Sequence, residues 1–413
     1  MSKKFIYRCN DCHTEYNSEG IHYLCPKCAR KNSSDKPPLG VLKVIYDYDK
    51  IATDSVGKHK DLLSELGENN FLDLLPIKNS ASLPNLNVGN TPLYKHTFKN
   101  NKTGCNLFFK DDSQNPTYSY KDRASAIVSA FAKENGIDTI VAASTGNAGS
   151  SLAGICAVQN QKAVIMVPEK APKAKLTQIM MYGAEIVPVK GTYDDAFDLS
   201  IAATKKFGWY NRNTAYNPLT IEGKKTAAFE LCRQMPAPPD YVFVPVGDGC
   251  IIAGIYKGFE DLLQLGIIKT IPVIVAVQSS GSNNLVANMN DTFTVKPADT
   301  LADSISVDIP RNFYMARNFI RKYKGKTIEV SDNDILHASK KLSKTYGLFS
   351  EPAAATAYAG FLAFAEKQNL PNNSNVAIML TGSGLKDLDA VQPLLQMPKP
   401  IEADIEKLSL NKK

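Results

Sequence analysis

Ser113-Gln114-Asn115-Pro116-Thr117-Tyr118-Ser119-Tyr120-Lys121-Asp122-Arg123 is where the chain passes from a strand through a polar loop into a helix. Before it lies the short apolar strand Asn106-Leu107-Phe108-Phe109-Lys110. After it comes Ala124-Ser125-Ala126-Ile127-Val128-Ser129-Ala130-Phe131-Ala132, where small and apolar side chains recur at three and four and predict a helix. Lys121 therefore stands at a helix entrance. A lysine there points into a cleft, and loss of water lowers its pKa and makes the amine nucleophilic. By itself, Lys-Asp-Arg at a helix start also describes a solvated charge cluster. The rest of the chain has to decide.

Downstream, strand and helix alternate. Strands are predicted over Asp138–Ala143, Lys162–Val167 and Ala184–Val189, with helices over Ser150–Val158 and Ala174–Tyr182 between them. Unbroken apolar strands joined by helices indicate a parallel sheet covered on both faces, in which ligands bind at the carboxyl ends of strands. At one such end lies Ser144-Thr145-Gly146-Asn147-Ala148-Gly149, a turn rich in donors, whose other reading is an ordinary helix cap. A second half repeats the theme. The strand Tyr241–Val246 runs into Gly247-Asp248-Gly249-Cys250-Ile251, and a helix follows from Ile252 to Leu265. Strand, glycine turn and helix make a phosphate cradle, because glycines let backbone amides approach and the helix dipole turns its positive end to the anion. It is not the dinucleotide fingerprint, since position 252 is Ile and the next glycine is Gly254. A carboxylate beside a phosphate repels it, so the Asp248 side chain is expected to face away. Further buried strands are predicted over Pro272–Gln278 and Asn375–Leu380, the latter leading to Thr381-Gly382-Ser383-Gly384-Leu385-Lys386-Asp387.

The eight cysteines divide evenly. Cys9, Cys12, Cys25 and Cys28 form two Cys-x-x-Cys knuckles twelve residues apart, which converge four thiolates on a closed tetrahedral site suited to structural zinc. Cys105, Cys156, Cys232 and Cys250 are scattered in apolar surroundings and read as reduced, buried thiols. The 413 residues, 44% hydrophobic and 22% charged, are enough for two or three domains without disulfide staples. The net charge of +7 is interspersed with acidic residues, so nucleic acid is not an expected partner. No run is apolar for long enough to span a membrane, and Met1–Cys9 reaches the first knuckle before a signal-peptide core could fit, so a cytoplasmic protein is expected.

Asn115–Arg123 resembles the lysine segment of the fold-type-II pyridoxal-phosphate enzymes, and most closely that of the threonine synthases, with their Pro-Thr-x-Ser-aromatic-Lys-Asp-Arg run. Val88-Gly89-Asn90-Thr91-Pro92-Leu93, Leu348–Ala357 with Glu351-Pro352, and Thr381–Asp387 are similar to further segments of the same family, in the same order. The resemblance implies two doubly wound parallel-sheet α/β domains with the active site between them, preceded by a small zinc ribbon. It places ribbon and linker at 1–40, the large cofactor-binding domain at 41–121 and 211–395, a small mobile domain at 122–210 and a peripheral tail at 396–413. It also implies that Lys121 holds pyridoxal phosphate covalently and then carries the α-proton. Asn147 would bond the phenolic oxygen, Thr381 the pyridine nitrogen, and Gly247, Asp248, Gly249, Cys250 and Ile251 the phosphate. Ser144, Thr145, Gly146, Asn147 and Ala148 would take the substrate carboxylate, and Glu351 would lie near the ring.

The implied reaction is that of a lyase, O-phospho-L-homoserine and water to L-threonine and phosphate, in a homodimer. One departure bears on the substrate. The family commonly has an Arg before an apolar-Glu-Gly triplet to grip the substrate phosphate, and here Asn217-Pro218-Leu219-Thr220-Ile221-Glu222-Gly223-Lys224-Lys225 offers Thr220. Arg212, Lys224 and Lys225 are the nearby cations. The alternatives are cysteate synthase on O-phosphoserine, a related β-replacement enzyme or ammonia-lyase, and a non-catalytic paralogue acting as a binding protein.

Overall fold

A computed structural model describes residues 4–54, 61–290, 292–367 and 370–408. The last residues of the tail expected at 396–413, from 409 on, lie outside the described residues. The strands are β1 (Phe5–Cys9), β2 (Glu15–Asn17), β3 (Leu42–Tyr46), β4 (Leu93–Lys99), β5 (Gly104–Asp111), β6 (Thr139–Ala143), β7 (Lys162–Pro168), β8 (Glu185–Val189), β9 (Tyr210–Asn211), β10 (Tyr241–Pro245), β11 (Val273–Ser279), β12 (Lys326–Val330) and β13 (Asn375–Leu380). They form a three-stranded sheet β2-β1-β3, a six-stranded sheet β12-β11-β10-β13-β5-β4 and a four-stranded sheet β8-β7-β6-β9.

The side-chain alternation of the large sheet explains its apolar sequence. Val242, Val244, Ile274, Ala276, Ala377 and Met379 enter one core, while Phe243, Val275, Val277, Val376, Ile378 and Leu380 enter a second on the other face. The small sheet divides in the same way: Ile140, Ala142, Ile165 and Val167 join the first core, and Val141, Ala143, Val164 and Met166 face a third. One core is therefore shared by both sheets. It also takes in Phe5, Tyr7, Cys9 and Cys25 of the N-terminal module.

Both larger sheets are parallel, apart from β4, which pairs antiparallel with β5 from Leu93↔Lys110 to Lys99↔Gly104. The sequence reading expected parallel sheets and assigned no strand to 93–99; the connection over 100–103 is too short for a crossover, so it closes a hairpin. Strand β3 pairs antiparallel with β1 from Phe5↔Tyr46 to Cys9↔Leu42, so this segment extends the sheet of the N-terminal module. The helix expected from Ile252 begins earlier, over Cys250–Gln264, because Gly249 at φ 82° turns the chain directly into it. L residues avoid that conformation, whereas glycine adopts it freely.

Candidate active site

Lys121 is the first residue of the helix Lys121–Glu134. The loop ahead of it is stapled to the loop after β13: Tyr120 N donates to Thr381 O at 2.9 Å and Ser383 N to Tyr118 O at 3.1 Å. Tyr120 Oη donates to Lys224 O at 2.6 Å. Gly223 lets the helix Leu219–Lys224 cross this helix start, since a Cβ there would meet Arg123 O at 2.1 Å. The base of Lys121 is thus fixed from two sides.

Its two neighbours are not a solvated charge cluster. Asp122 is buried and accepts from Thr117 N at 2.7 Å and from the Thr117 hydroxyl at 2.5 Å. Arg123 is buried in a bidentate pair with Asp112, at 2.6 and 2.9 Å, and bonds Glu230 at 2.5 and 2.8 Å. The triplet splits by role: two residues brace the helix start and the first is left to the cleft.

The Lys121 side chain lines a cavity of about 50 Å³ with Thr214, Lys224, the loop 247–251, Ser304, Glu351 and Thr381. Burial pushes its amine pKa down, against the opposing pull of Glu351, with Arg212 pushing the same way as burial. Among the described residues its amine has no ion pair within contact distance. A depressed pKa with no bound carboxylate is the state in which a lysine can act as nucleophile and base.

Gly247, Asp248, Gly249, Cys250 and Ile251 lie on the cavity wall where the helix Cys250–Gln264 begins, so its free amides and dipole face the cavity. A Cβ at Gly247 would sit 2.9 Å from the Ile305 Cα, which is why this wall needs glycine. Asp248 Oδ1 accepts from Arg311 N at 3.2 Å, and Asp248 O from Asn312 N at 2.9 Å. The carboxylate is thus engaged by Arg311 N and the backbone carbonyl by Asn312 N.

Asn147 opens the helix Asn147–Gln159 and donates through Nδ2 to both carboxylate oxygens of Glu351, at 3.0 and 3.1 Å, and to Ser304 Oγ at 3.2 Å. Glu351 is buried, and burial pushes its carboxyl pKa up. It lies so close to Gly382 that a Cβ there would meet Oε1 at 2.3 Å. Ser144, Thr145, Gly146 and Ala148 are half-buried at the same helix start, with Ser144 Oγ accepting from Gly146 N at 3.3 Å. They are not on the wall of the Lys121 cavity, which Asn147 reaches through Glu351.

Three nearby cations differ sharply. Lys225 is neutralised by Glu222 and by Asp261 at 2.7 Å. Lys224 is buried, donates to Thr220 O at 3.2 Å, and has its pKa pushed down to about 7 by burial. Arg212 is buried among neutral acceptors, Ser125 Oγ at 3.1 Å, Thr214 Oγ1 at 3.3 Å and Lys121 O at 3.4 Å. Sequence reasoning missed Ser304 and Thr214, single hydroxyls in loops that carry no periodic or motif signal. It quoted Lys386 without a role. Its amine donates to Ser150 Oγ at 3.0 Å, with a pKa lowered by burial to about 8.

The four N-terminal cysteines bring their sulfurs within 4.8 Å of one another. Cys9 Sγ lies 3.8 Å from Cys28 Sγ, and Cys12 Sγ lies 3.6 Å from Cys25 Sγ. Zinc at about 2.3 Å from each sulfur of a tetrahedron sets the edges near 3.8 Å, so the donor set fits that metal. The module is tied to the catalytic side, with Asn211 N donating to Tyr23 Oη at 2.9 Å and Tyr23 stacking on Tyr216 at 4.6 Å. The cavity residues likewise suit pyridoxal phosphate. An amine with no ion pair among the described residues, backbone amides at a glycine turn and a hydroxyl at Thr381 meet on one wall system.

Residues 85–382 match the pyridoxal-phosphate dependent enzyme family. The chain is 34% identical to the threonine synthase of Methanocaldococcus jannaschii over 410 residues, covering 98% of both chains. It is 34% identical over 343 residues to the threonine synthase of a Bacillus species (strain ULM1), covering 82% of this chain and 95% of that one. Among solved structures it is similar to the processed form of threonine deaminase isoform 2 from Solanum lycopersicum (TM-score 0.61, 23% identity, 71% of this chain and 84% of that one). It also superposes on O-ureido-L-serine synthase (TM-score 0.63, 19% identity, 76% and 95%). These structural likenesses establish the fold, that of fold-type-II enzymes. With the lysine, the amide cradle and the whole-length relatives in agreement, the chain belongs to the pyridoxal-phosphate dependent enzyme family, among its threonine synthases.

Proposed function

We propose that the chain is a lyase that converts O-phospho-L-homoserine and water to L-threonine and phosphate, with Lys121 as its catalytic residue. The observation that carries this is the Lys121 amine itself, depressed in pKa by burial and without an ion pair among the described residues, in a cavity it shares with the 247–251 amides and Thr381. Bound pyridoxal phosphate supplies the electron sink that acidifies the substrate Cα–H. Lys121 Nζ anchors the cofactor and then carries that proton as general base and acid. Thr381 presents a hydroxyl, not a carboxylate, to the pyridine nitrogen, which suits elimination and replacement more than transamination. Asn147 would hold the phenolic oxygen of the cofactor, and the 247–251 amides would hold its phosphate. Ser144, Thr145, Gly146, Asn147 and Ala148 orient the substrate carboxylate at their helix start.

In the same reading, residues 122–210 form a small domain that closes over substrate and excludes water. Zinc in the Cys9, Cys12, Cys25 and Cys28 site is structural, because all four positions are filled by protein. The enzyme works as a homodimer in the cytoplasm, and no helix among the described residues is long and apolar enough to cross a membrane. The test is phosphate release from O-phosphohomoserine and from O-phosphoserine, supplied separately to the holoenzyme. Turnover of the first supports the reading. Turnover of the second alone would assign a cysteate-synthase reaction, and a protein that neither colours with cofactor nor releases phosphate would be a binding paralogue.

A further inference from the structure

Among the described residues, the fully buried cations come with carboxylates except for Lys224 and Arg212, beside the half-buried Lys121. Lys110 pairs with Glu230 at 2.5 Å, and Arg123 with Asp112 and Glu230. Lys225 pairs with Glu222 and Asp261, and Lys257 with Asp261. Lys224 and Arg212 are 0% and 1% exposed and, among the described residues, meet neutral oxygens only. An unpaired buried charge is costly unless something else neutralises it. Each has donors to spare: Lys224 uses one of three, and Arg212 three of five. Lys224 lines the cavity of Lys121, and so does Thr214, which the Arg212 guanidinium touches. Arg212 and Lys121 both push the Lys224 amine in the same direction as burial does, toward loss of its proton. Cys250 is the strongest titratable group holding a proton on each, yet burial pushes its own thiol up to about 12 and so keeps it neutral. Asp248 on Lys224 and Asp122, with Tyr193, on Arg212 stand beyond ion-pair distance, Asp248 bonded by Arg311 N and Asp122 by Thr117.

We propose that Lys224 and Arg212 together form the site that grips the phosphate of the substrate, and so determine that the substrate is a phosphate ester. This rests on the lyase reading given above. The 247–251 amides and their helix dipole already answer one phosphate, that of the cofactor. A second dianion in the same cavity requires side-chain charge, and Thr220 offers none. Lys224 sits one helical turn beyond Thr220 and donates to its carbonyl oxygen, so it presents its amine from the same face of the helix Leu219–Lys224.

The test uses holoenzyme and inorganic phosphate as probe, titrated by calorimetry and as an inhibitor of turnover. Lys224→Gln and Arg212→Gln are each expected to weaken phosphate binding and raise KM for O-phosphohomoserine about ten- to hundredfold, the scale of one charge-assisted hydrogen bond. Cofactor absorbance should be retained, and Lys224→Arg should keep phosphate affinity within about threefold of wild type. In phosphate-free buffer, Lys224→Gln is expected to melt no lower than wild type, because it removes an uncompensated charge. A lysine with a purely structural role would lower it. Unchanged phosphate affinity in Lys224→Gln would overturn the proposal, as would loss of cofactor in place of loss of phosphate binding. If Arg212→Gln does not fold, Lys224→Gln and Lys224→Arg decide by themselves. Phosphate binding through Lys224 without turnover of O-phosphohomoserine would refute the lyase reading and leave the anion site standing.

Discussion

Replacing Glu230 by Gln tests the brace behind Lys121. Glu230 is 5% exposed and receives Arg123 at 2.5 and 2.8 Å, Asn90 N at 2.7 Å and Lys110 at 2.5 Å. Burial by itself would raise its pKa. The charge of Arg123, its hydrogen bonds and Lys110 more than offset that and hold the carboxyl at about 2. Against an ordinary glutamate pKa near 4.3, the depression corresponds to about 3 kcal/mol of stability at neutral pH. Breaking a buried pair from one side costs about 3–5 kcal/mol, so the two arguments agree in size. The variant should therefore lose about 3–5 kcal/mol in urea unfolding at pH 7. The sign with pH follows from a folded pKa below the unfolded one. The contribution is complete above the unfolded value and disappears as pH falls through the folded one. The gap between wild type and Glu230→Gln should thus stay constant from pH 8 to about 5.5 and narrow by about 0.6 kcal/mol by pH 4. A gap under about 1 kcal/mol at pH 7, or one that widens on acidification, would refute the account of Arg123 and Glu230 as a net stabilising brace.

Three further outcomes are expected. Lys121→Ala should abolish the visible absorbance of lysine-linked cofactor and all phosphate release, with far-ultraviolet circular dichroism unchanged. Retained colour and activity would place the anchor elsewhere. Gly223→Ala should cost about 1–3 kcal/mol in unfolding and lower kcat, since its methyl would strike Arg123 O two residues from Lys121. Unaltered stability and rate would show that the helix crossing gives way freely. Cys9→Ser with Cys12→Ser should release zinc, read by a chelator dye, with little change in the chemical step measured in a single turnover. A large loss in that step would mean that the ribbon, through Tyr23 and Asn211, sets active-site geometry.

Much of the architecture could be read from residue pattern. Strands such as Val242–Val244 and Ile274–Val277 are apolar on both faces, and only a sheet covered on both sides makes use of that. The cysteine knuckles carried their geometry in their spacing, and the sulfurs do converge. The strand–glycine–helix order from Tyr241 onward was legible, because local backbone freedom is a property of the residues themselves. The hairpin β4–β5 was less legible, because strand direction is decided by pairing and not by composition.

What the sequence alone determined, then, was the parallel α/β architecture, the glycine turn into the helix Cys250–Gln264 and the lysine at a helix start, all fixed by local preferences and short-range spacing. What tertiary structure decided was charge. Asp122 and Arg123 looked like a solvated pair with Lys121 and are buried braces. Lys224 and Lys225 are neighbours in the chain, yet a single helical step of about 100° turns one to the cavity and the other to Glu222 and Asp261. Whether a cation is neutralised depends on which carboxylates other segments bring to it, here from the helix Cys250–Gln264, 36 residues away. That long-range placement is not written in either lysine.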